Sequence, residues 1–240
     1  MKRFSYPEWL VCLFLSACTT QIPREADLQT SAISIAPDYS ALTIPCNIAP
    51  LNFSICEEAT RYITHIYSTQ GKGIVLSGKK VSIDPVRWHT LLSENKGDTL
   101  RIEIYLDKKG KWEKYPPLKN RIAPEEIDPY LSYRLIEPSY ITYETLTINQ
   151  RNLTGFDEEP IYSNFSLTEG QCINCHSYQN YNKTGNMQMH VRQQYGGTVI
   201  VTGNRAEKVN LKTDHTISAG VYPSWHPTEK LIAYSVNSTG

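Results

Sequence analysis

Residues Thr99–Leu106 alternate polar and apolar side chains with a period of two, the signature of a half-buried β-strand. Asp107-Lys108-Lys109-Gly110 then supplies a turn, and Trp112 and Tyr115 fall on a return strand, so the segment reads as a hairpin. Fourteen prolines and sixteen tyrosines favour extended chain with many turns. Further strands are expected over 60–67, 73–77 and 141–148. A short helix is expected from Pro85 to Leu92, with Asp84 as N-cap and Pro85 at the first helical position. Glu125 and Glu126 stand in a similar place after Pro124. The fold class is therefore mainly β with a few short helices. Residues 44–150 read as a β-sandwich-like domain with Trp88, Leu106 and Trp112 in its core, and His65 and His89 as isolated surface or packed histidines.

The N-terminus reads differently. Lys2 and Arg3 precede an apolar run, Trp9–Ala17. Nine residues are too few for a bilayer-spanning helix, which needs about 20, so the run fits the core of a signal peptide. Its end, Leu15-Ser16-Ala17-Cys18, resembles a bacterial lipobox. That resemblance implies cleavage after residue 17, lipidation of Cys18 and a membrane anchor through the lipid. Thr19, in place of Asp, favours the outer over the inner membrane. Residues 18–43 show no sustained period and read as a tether. There is no second apolar run long enough for a membrane helix. Charge is balanced, 24 Lys and Arg against 24 Asp and Glu, and loss of residues 1–17 leaves 22 against 23. A nucleic-acid partner, which calls for a basic face, is not indicated.

Cys172-Ile173-Asn174-Cys175-His176 is the c-type haem attachment pattern. Two thiols at this spacing can form thioethers with the two vinyl groups of one haem, and the following histidine can serve as proximal iron ligand. The competing readings are a zinc half-site and a plain thiol pair. For the sixth iron position, His190 is the first candidate, with Met187 and Met189 as alternatives. Of the other cysteines, Cys12 leaves with the signal peptide, while Cys46 and Cys56 form a candidate disulfide in an exported protein. The motif segment, taken as 151–198, holds too few elements for an ordinary cytochrome domain. No acid–base pair or nucleophile–base set stands out, which points away from an enzyme.

Residues 199–240 change character again. Thr198–Thr202 reads as a strand, Gly203-Asn204 as a turn, and Val209 and Leu211 as a further short strand. The segment Tyr222-Pro223-Ser224-Trp225-His226-Pro227-Thr228-Glu229-Lys230-Leu231-Ile232-Ala233-Tyr234-Ser235 resembles the repeat of TolB-like, PD40-type β-propellers. The resemblance implies that Trp225 packs within a blade, that Pro227 starts a turn, and that Leu231–Ser235 form an alternating strand. Thr228-Glu229 stands where that family has Asp-Gly. One blade fits into 199–240, and propellers close with about four to eight, so the chain resembles the N-terminal part of TolB-like propeller lipoproteins that carry a c-type haem motif. This implies a cell-envelope lipoprotein facing periplasm or surface, with haem c used in electron transfer or sensing and envelope redox or scaffold proteins as partners. The alternative is a non-enzymatic propeller scaffold for envelope proteins or glycans, its C-x-x-C-H structural or zinc-binding.

Overall fold

A computed structural model of the chain describes residues 20–138, 145–164, 173–216 and 220–237. The protein is mainly β, with a single α-helix among the described residues. It divides into two units, with the boundary after Ile127.

The first unit contains β1 (Asp27–Leu28), β2 (Ile35–Ala36), β3 (Thr43–Pro45), β4 (Phe53–Ile55), β5 (Arg61–Tyr67), β6 (Ile74–Ser77), β7 (Lys80–Val81), α1 (Pro85–Glu94), β8 (Thr99–Lys108), β9 (Lys111–Lys114) and β10 (Leu118–Ala123). β8 organises a seven-stranded sheet. It pairs antiparallel with β5 along one side, and with β10 and then β9 along the other. Its apolar residues Leu100, Ile102, Ile104 and Leu106 are fully buried, as the alternation requires. From Glu103 onward the opposite face is buried too. There the Glu103 carboxylate accepts hydrogen bonds from Tyr67 (3.0 Å) and Tyr105 (2.8 Å) and pairs with Lys114 (2.9 Å), so a charged residue is covered without losing its partners.

Helix α1 starts as its sequence dictates. Asp84 Oδ1 accepts from the Arg87 amide at 2.9 Å, Pro85 occupies the first turn, and Trp88, Leu91 and Leu92 form the buried face. The helix runs to Glu94, past the expected end at Leu92, where the Asn95 side chain donates to the Leu91 carbonyl at 2.8 Å. The Trp88 indole donates to the Ile48 carbonyl at 2.9 Å. The helix, the large sheet and the three-stranded sheet β2-β4-β7 share one hydrophobic core.

Several expectations are corrected here. Residues 20–43 are no free tether: Ile33 and Ile35 are buried in the core, β1 pairs with β9, β2 with β4, and β3 with β10. These strands span two or three residues each, too few for a period to show. Trp112 is half-buried and lies outside the core, its ring under the Arg61 guanidinium at 4.9 Å. Pro124 and Glu125 form a bend, and no helix forms at Glu125 and Glu126. The backbone there is engaged instead by Asn47, whose side chain bonds both the carbonyl (2.8 Å) and the amide (3.0 Å) of Ile127.

The second unit contains three separate antiparallel sheets, with no closed barrel or propeller among the described residues. The first is β11 (Tyr130–Leu135), β12 (Thr147–Asn152) and β13 (Glu158–Ser163). The expected boundary at residue 150 falls inside β12, which pairs on both sides and cannot be split. Of the strand expected over 141–148, residues 141–144 lie outside the described residues, and β12 begins at Thr147. The second sheet is a meander of β14 (Ile173–Tyr178), β15 (Met187–Val191), β16 (Gly197–Thr202) and β17 (Arg205–Val209). It spans the expected boundary at 198, because β16 pairs with β15. The third is the hairpin β18 (Val221–Trp225) and β19 (Ile232–Ser235). No helix among the described residues is long and apolar enough to cross a membrane.

Truncating Leu106 to Ala should cost about 2–5 kcal/mol, the range for a large-to-small core change. Truncating Trp112 to Ala should cost about 1 kcal/mol, the scale of an exposed cation–π contact. Urea denaturation of the two variants measures both, and equal losses would place Trp112 in the core after all.

Candidate functional site

Cys175 and His176 lie in the middle of β14. Asn174 stands opposite His190 and Ser177 opposite Gln188, so Cys175 and His176 together face the single residue Met189. This is a β-bulge, and Cys175 takes a left-handed backbone with φ of 55°. For a non-glycine residue that conformation costs about 1–2 kcal/mol. A set of side chains compensates. Asn174 Oδ1 accepts from the Cys175 amide at 2.8 Å and from Arg134 at 2.7 Å. The fully buried Gln188 donates through Nε2 to the Cys175 carbonyl and to Ser177 Oγ, the latter at 3.2 Å. Tyr234 donates its hydroxyl to Gln188 Oε1 at 3.4 Å. The Trp225 indole donates to Ser177, 3.1 Å from Oγ and 3.3 Å from the carbonyl oxygen.

His176 is half-buried, with its ring edge-on to Tyr178 at 6.1 Å and 80°. Burial lowers its pKa, a hydrogen bond to the Ser132 backbone on β11 opposes that shift, and Arg134 adds to it. The lowered pKa favours the neutral ring, the form in which imidazole ligates a metal, and one nitrogen is tied to backbone. Cys175 is a free, partly exposed thiol. Cys172, and the lipobox with Cys18, lie outside the described residues. Cys175 and His176 fit a haem-attachment role in these respects.

The candidates for the sixth iron position fare differently. Along β15, Gln188 and His190 are buried while Met187, Met189 and Val191 are half-buried, in strict alternation. Ser177 bonds Gln188, whereas Tyr178 stands opposite Met187. His176, two residues from Tyr178 and touching it, therefore shares the Met187 and Met189 side, and His190 occupies the opposite face. His190 thus lies across the sheet from His176. The two methionines project from the neighbouring strand alongside His176 and do not oppose it. No group of three or more His, Cys, Asp or Glu side chains converges among the described residues.

His190 has its own surroundings. Its Nδ1 lies 2.8 Å from Thr198 Oγ1, and its ring lies 5.6 Å from that of Tyr234. Its Nε2 is buried without a hydrogen-bond partner among the described residues, a deficit of about 1–3 kcal/mol where nothing else fills it.

The expected Cys46–Cys56 disulfide is not formed. Both are free thiols, Cys46 buried and Cys56 exposed. Cys46 Sγ is directed instead at the carbonyls of Pro124 (3.6 Å) and Glu125 (3.5 Å). His65 stacks on Tyr67 at 4.4 Å, and His89 Nε2 lies 3.3 Å from the Ile48 carbonyl.

The segment Tyr222–Ser235 is joined to the end of β14 through residues that no sequence motif marks. Gln179 donates to the carbonyls of His226 (3.2 Å) and Glu229 (2.8 Å). His226 Nδ1 in turn accepts from the amides of Thr228 (3.3 Å) and Glu229 (2.9 Å), closing the turn that Pro227 starts. The one sequence signal for Gln188 is a polar residue at the buried phase of an alternating strand.

The fold defines a mainly β protein. No family model matches the chain, and no curated protein matches it.

Burial, reinforced by Arg192, holds the His190 pKa below 6.5. On acidification the unfolded chain takes up a proton at this residue near pH 6.5, while the folded chain still resists it. The unfolded state then binds more protons, so stability falls as pH drops through this window. Between pH 7.5 and 5.5, roughly one unit either side of the free histidine value, the wild-type chain should lose more unfolding free energy than His190→Asn. Equal pH slopes would contradict this.

Proposed function

We propose that the chain is the N-terminal part of a cell-envelope lipoprotein, anchored through Cys18, that carries a covalent haem c for electron transfer or haem-based sensing. The observation that carries this reading is the C-x-x-C-H run whose Cys175 and His176 sit together on a clamped bulge, with the His176 ring tied to backbone through one nitrogen. Cys172 and Cys175 would hold the haem as thioethers and His176 would ligate its iron. The haem, when bound, supplies one-electron chemistry at the iron. The chain's own residues do the positioning. Asn174 and Gln188 fix the Cys175 backbone, Ser132 orients the His176 ring, and Arg134 adds positive charge beside it.

We further propose that the motif lies within a TolB-like, PD40-type propeller, where the sequence suggests a motif segment ahead of the first blade. Ile173 and Val191 of the four-stranded meander pack on Leu146 and Ile148. Ser177, Gln188 and His190 on its other side meet Trp225 and Tyr234 of the hairpin. Successive antiparallel sheets stacked face to face are the arrangement of propeller blades. β14 would then be the first strand of a blade, and the hairpin the start of the next. The first unit, with two sheets on a shared core, would be the β-sandwich-like domain that precedes them.

A second reading, a scaffold without haem, is favoured by the exposed Tyr130, Leu131, Leu135, Phe156 and Ile161 on and beside the β11–β13 sheet. Such side chains suit a protein partner.

Co-expression with a cytochrome c maturation system separates the two. The reduced pyridine haemochrome of the denatured wild-type chain should show the band of a haem bound by two thioethers. Cys172→Ser and Cys175→Ser should each shift it toward that of a single thioether. A wild-type chain that emerges without covalent haem contradicts the first reading, and zinc lost in Cys172→Ser would support a structural metal instead.

A further inference from the structure

The chain has three methionines. Apart from Met1, both stand on one strand two residues apart, as Met187 and Met189 of β15. On a strand that spacing puts the two side chains on one face. The register carries the same face across to β14, where Tyr178 pairs with Met187 and the bulged Cys175 and His176 stand opposite Met189. His176, in ring contact with Tyr178 two residues on, lies on this side as well. Paired residues on one face have Cβ atoms about 4.5–5.5 Å apart, and diagonal neighbours lie about 7–8 Å apart, within reach of long side chains. One imidazole and two thioethers are therefore near neighbours.

The methionines are not core filling. The hydrophobic cluster of this unit is Leu146, Ile148 and Ile173, with Ile136, Tyr162 and Val191 packed on it, and neither methionine belongs to it. Met187, Met189 and His176 are all half-buried, so a small ion can reach them.

The donor set selects the ion. Side chains that project side by side from one sheet do not take opposite positions across a haem, but they can converge on one small ion. Thioether sulfur is a neutral, soft donor that favours copper(I), and imidazole also suits copper. Arg134, the charged side chain that bears on His176, is a cation. No group of three or more His, Cys, Asp or Glu side chains converges among the described residues. A divalent ion calls for anionic oxygen or thiolate ligands, so these surroundings favour a monovalent one.

We infer that His176, Met187 and Met189 form a binding site for a single copper(I) ion, with His176 contributing the ring nitrogen that is not tied to Ser132. The site does not rest on haem attachment. A haem iron held by His176 would exclude copper, so the site belongs to the haem-free chain.

An anaerobic titration of the Cys172→Ser/Cys175→Ser chain, which cannot form haem thioethers, tests this. Copper(I) is supplied from its bicinchoninate complex and followed by NMR of isotope-labelled methionine methyls, which do not register copper taken up by thiols elsewhere. The Met187 and Met189 methyl signals should shift together, and zinc(II) at the same concentration should leave both in place. Met189→Leu, a nearly volume-conserving change, and His176→Gln should each raise the free copper(I) needed to shift the Met187 methyl by at least about tenfold. His215→Gln, at an exposed position, should not. The inference fails if neither methyl responds to copper(I), if Met187 responds as readily in Met189→Leu and His176→Gln, or if zinc(II) shifts the methyls equally well. Covalent haem is measured separately on the wild-type chain, so either reading can fail without the other.

Discussion

The hydrogen bond from Gln188 to the Cys175 carbonyl is the interaction on which the second unit depends. Gln188 is fully buried, and its amide joins β14, through Cys175 and Ser177, to the hairpin, through Tyr234. An amide with each end engaged is stable in the interior, whereas the same group left unpaired would be costly. It also supports a left-handed residue at Cys175, which a cysteine adopts only when its surroundings favour it. The bulge breaks the alternation of β14 at Cys175 and His176. The geometry of the motif thus comes from residues outside it.

The two faces of the four-stranded meander divide the chemistry. His176 lies on one, beside Tyr178 and bonded to the Ser132 backbone, with its ring kept neutral by burial. His190 lies on the other, bonded to Thr198 and next to Tyr234. Fourteen residues separate them in the chain and one sheet separates them in space, so they belong to different sites. The two histidines that the sequence suggests as axial ligands lie, in the fold, on opposite faces of one sheet.

What the sequence discloses is what depends on near neighbours. The alternation of Thr99–Leu106, the turn at Lys109 and Gly110, and the Asp84-Pro85 helix start all rest on residues within a few positions, and each is present. Features built on distant partners were not legible. Ile33 and Ile35 gain their burial from strands far along the chain. The second face of β8 is closed by Glu103 finding Tyr67 and Lys114. The bulge at Cys175 needs Gln188, thirteen residues on, and Gln188 needs Tyr234. The identities of Cys175 and His176 could be read directly, but the side to which each ring or thiol turns could not, because alternation predicts the wrong answer wherever a residue is inserted in a strand.

The most direct test of this account is the difference in unfolding free energy between Cys175→Gly and Cys175→Ala, measured in one denaturant series. Both variants remove the thiol, so the comparison isolates the backbone. A left-handed residue held by Gln188 and Asn174 predicts that the glycine variant is the more stable, by about 1 kcal/mol. An ordinary extended strand predicts the reverse order, with glycine the less stable by about 0.5–1 kcal/mol, and that result would contradict the bulge and the site built on it.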